Sequence, residues 1–387
     1  MTRRQMLATP LGMAFAIPPG AAPVTKIEVF HAPYRVTSYF RFLPKPERPS
    51  VLVKITSEDG STGWGQSVPL PTWSYETEES VMTGIRNYLA PAIMGKNPFD
   101  LPVIHEAMRH AIASSFSTGI PIAKAGIDLA LHDLMGKVAK RSLPELWGRP
   151  TPLKKIDISW TVNVRDMAEA ERVVHDGISK GYRHFNLKVA PDPKFDFELC
   201  KYVRSAIKHD FFFWIDANGV YDLATALRMA PKFADQGVNA FEQPIAPNRL
   251  TGLRELKQQG AVPIILDEGV VNSVELAEFI KLGMLDGVAM KPARTAGLFD
   301  ARRQIEILEQ AGLMFLGSGL TDPDISLAAS LQLFGAYGLK HPAALNGLQF
   351  LSSSYLRTPF ELRDGSLEVP TGAGLGVTVD EDKLRKA

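Results

Sequence analysis

The sequence predicts an α/β fold: a modified (β/α)8 TIM-type barrel, written (β/α)7β, with an N-terminal α+β capping domain. Three observations predict it. After about residue 155, short apolar runs alternate with helical stretches until eight strand-like runs have passed. Five of those runs end in one charged residue at a near-constant spacing. Before residue 150 the order differs, with alternating strands first and helices after them.

The elements follow in chain order. Residues 1–23 read as leader and linker: Arg3 and Arg4 precede a mildly apolar run, Leu7 to Ile17, and Ala14-Phe15-Ala16 has a small-residue cleavage pattern. This resembles a twin-arginine export signal and favours a periplasmic or exported location over a cytoplasmic one. Residues 24–150 make the capping domain. Its "KIEVFHAPYRV" and "SVLVKITSEDGSTGWGQSVP" alternate as strands, with "EDG" as a hairpin turn. Residues 76–147 are helical, and Ala123, Ile127, Ala130, Leu131 and Leu134 fall three and four apart, as a buried helix face requires. Residues 151–350 make the barrel. Its strands are "IDISWTV", "HFNLKVA", "FFFWIDANG", "NAFEQP", "VPIILDEG", "DGVAMKP", "GLMFLGSG" and "AALNGLQF". The first barrel helix takes Asp166 as N-cap and stops before Gly181. Residues 351–387 return to the capping domain.

Composition excludes several functions. The 387 residues carry 43 basic and 42 acidic side chains, a net charge of +1, which leaves no footprint for nucleic acid. No run approaches the roughly 18 apolar residues that span a bilayer. The single cysteine, Cys200, makes no internal disulfide. The expected partner is a small-molecule carboxylate, and the expected assembly a homo-oligomer.

The charged strand ends carry the chemistry. Lys188, Asp216, Glu242, Asp267 and Lys291 lie 28, 26, 25 and 24 residues apart, one strand-helix unit each time. Equivalent positions in successive units sit at the carboxyl end of adjacent strands, where barrel enzymes place their sites. Singly, Asp216 reads as a turn residue, Asp267 or Glu268 as the N-cap of a helix near Ser273, and the lysines as rim groups. Together they read as one site. Three crowded carboxylates repel unless a cation joins them, and all-oxygen ligands suit Mg²⁺. A divalent ion facing two lysines fits abstraction of a proton α to a carboxylate. The metal stabilises the ene-diolate, and a lysine with its pKa lowered by cations and burial is the base.

At these residues the sequence resembles the enolase superfamily, in its muconate-lactonizing (muconate cycloisomerase) subgroup. "IAKAGIDLALHDLMGK", "NLK", "DANG", "FEQP", "LDEG", "MKPARTAG" and "GAGLGVTVDEDKL" are similar to its signatures in the same order. The resemblance implies that Asp216, Glu242 and Asp267 are metal ligands and that Lys188 and Lys291 are acid-base groups. The mandelate-racemase subgroup has a histidine ending strand seven, and "MFLGSG" has none.

Three departures stand out. The subgroup's Lys-x-Lys is here Asn186-Leu187-Lys188, so Lys188 lacks a cationic neighbour on its face. The Asp-x-Asp by which dipeptide epimerases hold an ammonium is Ala344-Leu345-Asn346, which argues against a dipeptide. The glutamate often found after "GWG" is Gln66. The resemblance also implies a lid of two loops, 34–42 and 67–77. The candidate substrate contacts are Arg41, Tyr39 and Trp73 on that lid, with Asn186, Asn218, Glu268, Ser318 and Asn346 around the strand ends. The leading reading is a racemase or epimerase of a small carboxylate. The same site serves a cycloisomerase or dehydratase. A non-catalytic binding protein on this fold would be favoured by the loss of a ligand or base, and none is lost.

Overall fold

A computed structural model describes residues 21–43, 46–114, 117–189 and 192–386. The export-signal pattern around Arg3 and Arg4 lies outside these described residues. In the N-terminal part, strands β1 (Val24–His31), β2 (Val51–Ser57) and β3 (Thr62–Ser67) form an antiparallel sheet in chain order. Helix α1 (Glu78–Gly84) runs on through a π turn at Ile85–Leu89 to Ile93. Helices α2 (Leu101–Ala111) and α3 (Pro121–Ala139) follow.

Helix α3 is buried all round from Pro121 to Gly136, because it lies between the sheet and the barrel. Its closeness to β3 explains the glycines of "GWG". A Cβ on Gly65 would come within 1.9 Å of the Gly126 carbonyl oxygen, and one on Gly63 within 2.2 Å of that of Ala130.

The barrel strands are β4 (Ser159–Val162), β5 (His184–Lys188), β6 (Phe213–Asp216), β7 (Ala240–Glu242), β8 (Ile264–Leu266), β9 (Gly287–Met290) and β10 (Met314–Gly317). They pair in parallel and in chain order. Ala343 bridges to Ile158 and Ala344 to Ser318, both in parallel, so this eighth segment closes the sheet. Between the strands run seven helices: α4 (Met167–Ser179), α5 (Pro193–Ala206), α6 (Leu223–Asp235), α7 (Leu250–Gln259), α8 (Ser273–Lys281), α9 (Leu298–Ala311) and α10 (Asp324–Ala336). This is the (β/α)7β order.

Short polar caps start several helices. Asp166 accepts from Glu169 N–H, and Asn272 accepts from Val274 and Glu275 N–H. The cap of α8 is therefore Asn272, which releases Asp267 and Glu268 from that duty. Outward strand residues such as Phe185, Phe213 and Phe241 are fully buried beneath the helices. Inward residues Trp214, Ala240, Ile265, Ala289, Leu316 and Ala344 fill the barrel axis.

The two parts are stitched by polar side chains. Gln66 donates to Tyr34 Oη (3.0 Å) and Ser50 Oγ (2.9 Å) and accepts from Ser326 N–H of α10 (3.0 Å). The Tyr34 and Ser50 hydroxyl protons go to Asp324 and to the Ser67 carbonyl, so this corner calls for the N–H donors of an amide. Asp133 of α3 accepts from Trp64 N–H of β3 and from Leu375 N–H, so residues after 351 reach back to the capping helix.

Candidate active site

Side chains two apart on a strand share a face. Each residue of the barrel axis is followed, two positions on, by a residue of the barrel mouth. That rule generates a ring of eight: Asn163, Lys188, Asp216, Glu242, Asp267, Lys291, Ser318 and Asn346, all buried. Lys188, Asp216 and Glu242 are level in the ladder. Glu242 pairs with Ile265, so Asp267 stands two residues farther along; the same step recurs between β8 and β9. Two further steps, at Ala344 and at β4, bring the stagger to eight residues, the shear of a TIM barrel.

Asp216, Glu242 and Asp267 place a carboxylate oxygen each within 4.8 Å of one another, fully buried. Lys188 pairs with Asp216, while Lys291 and Arg294 both pair with Asp267. Burial, then Asp216 and Asp267, push Glu242 well above the usual carboxylate range. Burial alone would raise Asp267, but Arg294 and Lys291 bring it below its ordinary value. The raised Glu242 records how strongly three crowded carboxylates repel, and their hard oxygen donors fit a divalent cation such as Mg²⁺.

The two lysines differ. Burial pulls Lys188 down, yet Asp216 and Glu242 outweigh it and leave its pKa raised. Burial and Arg294 leave Lys291 lowered against the pull of Asp267. Asn186 supplies no charge beside Lys188: its Oδ1 accepts from Thr161 Oγ1 (2.8 Å) and Ser159 Oγ (3.4 Å).

The lid is shut over the ring. The Trp73 indole lies 4.1 Å from Lys291 Nζ and 5.2 Å from Lys188 Nζ, with Phe42 stacked on it at 4.9 Å. Trp73 Nε1 donates to Glu268, which also accepts from Asn218 Nδ2 (3.1 Å). Asn218 Oδ1 accepts from Arg41 (2.8 Å), so one chain of bonds ties both lid loops to the barrel. Tyr39 is elsewhere: it is 46% exposed, with the Arg165 guanidinium over its ring. Ser318 and Asn346 sit in the ring, and Asn346 Nδ2 donates to Thr161 Oγ1 (3.2 Å).

Three residues escaped the reading of the sequence. Asn163 ends the first strand, two beyond Thr161. Trp214 Nε1 donates to Glu242 Oε2 from the layer below (2.9 Å). Gln243, at φ 34°, accepts from Asp267 N–H (2.9 Å) and Gly269 N–H (3.2 Å) and so shapes the loop of that carboxylate. Arg294, which the sequence already offers as a cation following Lys291 in its loop, joins Lys291 on Asp267. Counting two residues on from every inward strand position would have found Asn163. The other two depend on side-chain reach.

Comparison with known proteins agrees with this geometry. Residues 165–383 match the enolase C-terminal domain-like family, and residues 31–148 the N-terminal domain of mandelate racemase / muconate lactonizing enzyme. A chloromuconate cycloisomerase of Cupriavidus necator is 30% identical over 343 residues, 87% of this chain and 90% of that protein. An N-succinyl-L-Arg/Lys racemase of Bacillus cereus is 25% identical over 345 residues, 88% and 90% of the two chains. The crystal structure of 2-chloromuconate cycloisomerase from Rhodococcus opacus 1CP superposes with a TM-score of 0.85 at 27% identity, covering 94% of this chain and 99% of that one. With both of its parts matched and its eight strand ends so arranged, the chain belongs to the mandelate racemase / muconate lactonizing enzyme family of the enolase superfamily, in its muconate-lactonizing subgroup.

Proposed function

We propose that this protein is a Mg²⁺-dependent isomerase that removes the proton α to a carboxylate, acting as a racemase or epimerase of a small carboxylate. One observation carries the reading. Lys188 and Lys291, from strands four apart in an eight-stranded barrel, both approach one indole, at 5.2 and 4.1 Å from its ring centre, and each pairs with a different carboxylate of the buried triad. Because the two strands stand across the barrel from one another, a planar carbon held between the lysines would meet an amine on each face. One lysine takes the proton and the other returns it. Asp216, Glu242 and Asp267 would hold the Mg²⁺, which supplies positive charge to the substrate carboxylate as negative charge builds there. Glu268, Asn218 and Arg41 hold the lid closed and keep water from the reacting carbon.

A second reading, cycloisomerisation or dehydration, has its own support. Several relatives are named chloromuconate cycloisomerases. In addition Lys291 has a cationic neighbour in Arg294, whereas Lys188 has the neutral Asn186, so the pair is built unequally. Incubation in D₂O with Mg²⁺ and a panel of α-proton carboxylates (N-acyl amino acids, sugar acids, hydroxyprolines, muconates), read by mass spectrometry, tests both. Solvent deuterium in one substrate and its epimer supports the leading reading. Conversion to a lactone or a dehydrated acid transfers support to the second. No exchange and no conversion across the panel would sink both.

A further inference from the structure

The ring of eight strand ends divides by charge. Five consecutive positions, Lys188 to Lys291, are charged, and the remaining three, Ser318, Asn346 and Asn163, are neutral. The neutral arc faces the metal triad across the barrel mouth. Asn163 and Asn346 are each 7% exposed, yet Asn163 Nδ2 and Asn346 Oδ1 have no hydrogen-bond partner among the described residues. Exchanging the oxygen and nitrogen of either amide still leaves a neutral wall that offers both hydrogen-bonding senses.

Among the described residues, the charged groups near the arc are already engaged, although Asp322 keeps one buried oxygen, Oδ2, without a hydrogen-bond partner. Phe40 stacks at 4.6 Å on Phe350, four residues after Asn346. Arg41 is committed to Val189 O and Asn218. Asp322, in the loop beyond Ser318, accepts from Leu320 N–H and lies in the field of buried Arg48. A charged group placed on the arc would lose water and find no counter-ion. A neutral group with a donor and an acceptor would satisfy both orphaned amides.

We propose that the part of the substrate remote from its reacting carboxylate ends in a neutral group that both donates and accepts hydrogen bonds, such as a carboxamide, selected by Asn163, Ser318 and Asn346. This rests on the reading of the ring as a site for an α-proton carboxylate. The test uses three probes with one backbone: N-acetylglutamine, N-acetylglutamate and N-acetyllysine, which end in a carboxamide, a carboxylate and an ammonium. Binding to the Mg²⁺-loaded full chain is measured by calorimetry, and α-deuterium exchange in D₂O separately. The carboxamide probe is expected to bind at least tenfold more tightly than the other two. Asn346→Asp should shift the preference toward the ammonium probe by tenfold or more, and Asn163→Leu should erase the preference. Equal or tighter binding of a charged probe by the parent protein overturns the proposal, as does binding of none, which would mean that the orphaned amides hold water only. Binding of the carboxamide probe without exchange keeps the subsite and sinks the α-proton reading.

Discussion

Asp267 is the carboxylate on which Lys291, Arg294 and the Gln243-shaped loop all converge, while Glu268 beside it turns to the lid. Asp267→Asn should therefore abolish Mg²⁺ binding in a calorimetric titration, and Glu268→Gln should leave it near the parent's. The reverse outcome would move the ligand by one residue. Trp214→Phe removes the donor to Glu242 without touching the substrate face. Loss of such an outer partner costs about tenfold to a hundredfold in metal affinity. The lysines are separated by exchange rather than by turnover. Lys188→Ala should stop α-deuteration of one enantiomer, Lys291→Ala that of the other, and turnover should vanish in both. If Lys291→Ala exchanges both enantiomers, Lys291 is an electrostatic spectator and the second reading leads.

The capping helix α3 starts without help from its own sequence, because Ile120 enters in the left-handed region at φ 50° and offers no polar side chain. Glu76 supplies the cap from the lid side, accepting from Ile122 N–H (2.7 Å) and Ala123 N–H (3.0 Å). Burial pushes its carboxyl up to about 7, against an ordinary 4.5. A folded state that keeps a proton the unfolded chain has released loses stability as pH rises. Glu76 thus favours folding most below pH 4.5, and that contribution fades up to about pH 7, by about 3 kcal/mol. Urea denaturation at pH 5 and pH 7.5 checks this: Glu76→Gln should fall less in stability than the parent across that interval. An unchanged difference would mean that Glu76 is ionised throughout.

Over the whole molecule, the capping part does more than cover the barrel. Gly297 opens α9 at φ 104° and no side chain of its own loop caps that helix. Asp128, from α3, accepts from Leu298 N–H (2.6 Å) and is itself held by His105 Nε2 (2.8 Å). A Cβ on Gly297 would approach Asp128 Oδ1 to 2.2 Å, so only glycine admits the carboxylate. The loop between Lys291 and Gly297 is tightly turned, with Arg294 and Thr295 N–H both on the Lys291 carbonyl. The capping part is thereby bonded to the end of the loop that begins at Lys291. Asp128→Asn weakens the buried bonds to Leu298 N–H and His105 and should cost about 1–3 kcal/mol. Amide exchange by mass spectrometry should quicken over 291–299, and unchanged exchange there would refute the coupling.

The primary sequence determined the barrel, its phase and the charged half of the site. A parallel strand buried on both faces must read as an apolar run, and unit length is set by one strand plus one helix. Lys188, Asp216, Glu242, Asp267 and Lys291 could therefore be found by spacing alone. What spacing could not carry was stagger, reach and contact between distant segments. The two-residue steps between neighbouring strands place Asp267 and Lys291 level with a ring whose members differ in register. Only side-chain length decides that Trp214 touches Glu242 and that Arg294 touches Asp267. Asp128 and Leu298 are 170 residues apart, and nothing local marks either as the other's partner. Local periodicity fixes which face a residue occupies, but what meets it there is chosen by the packing of the closed barrel against its cap.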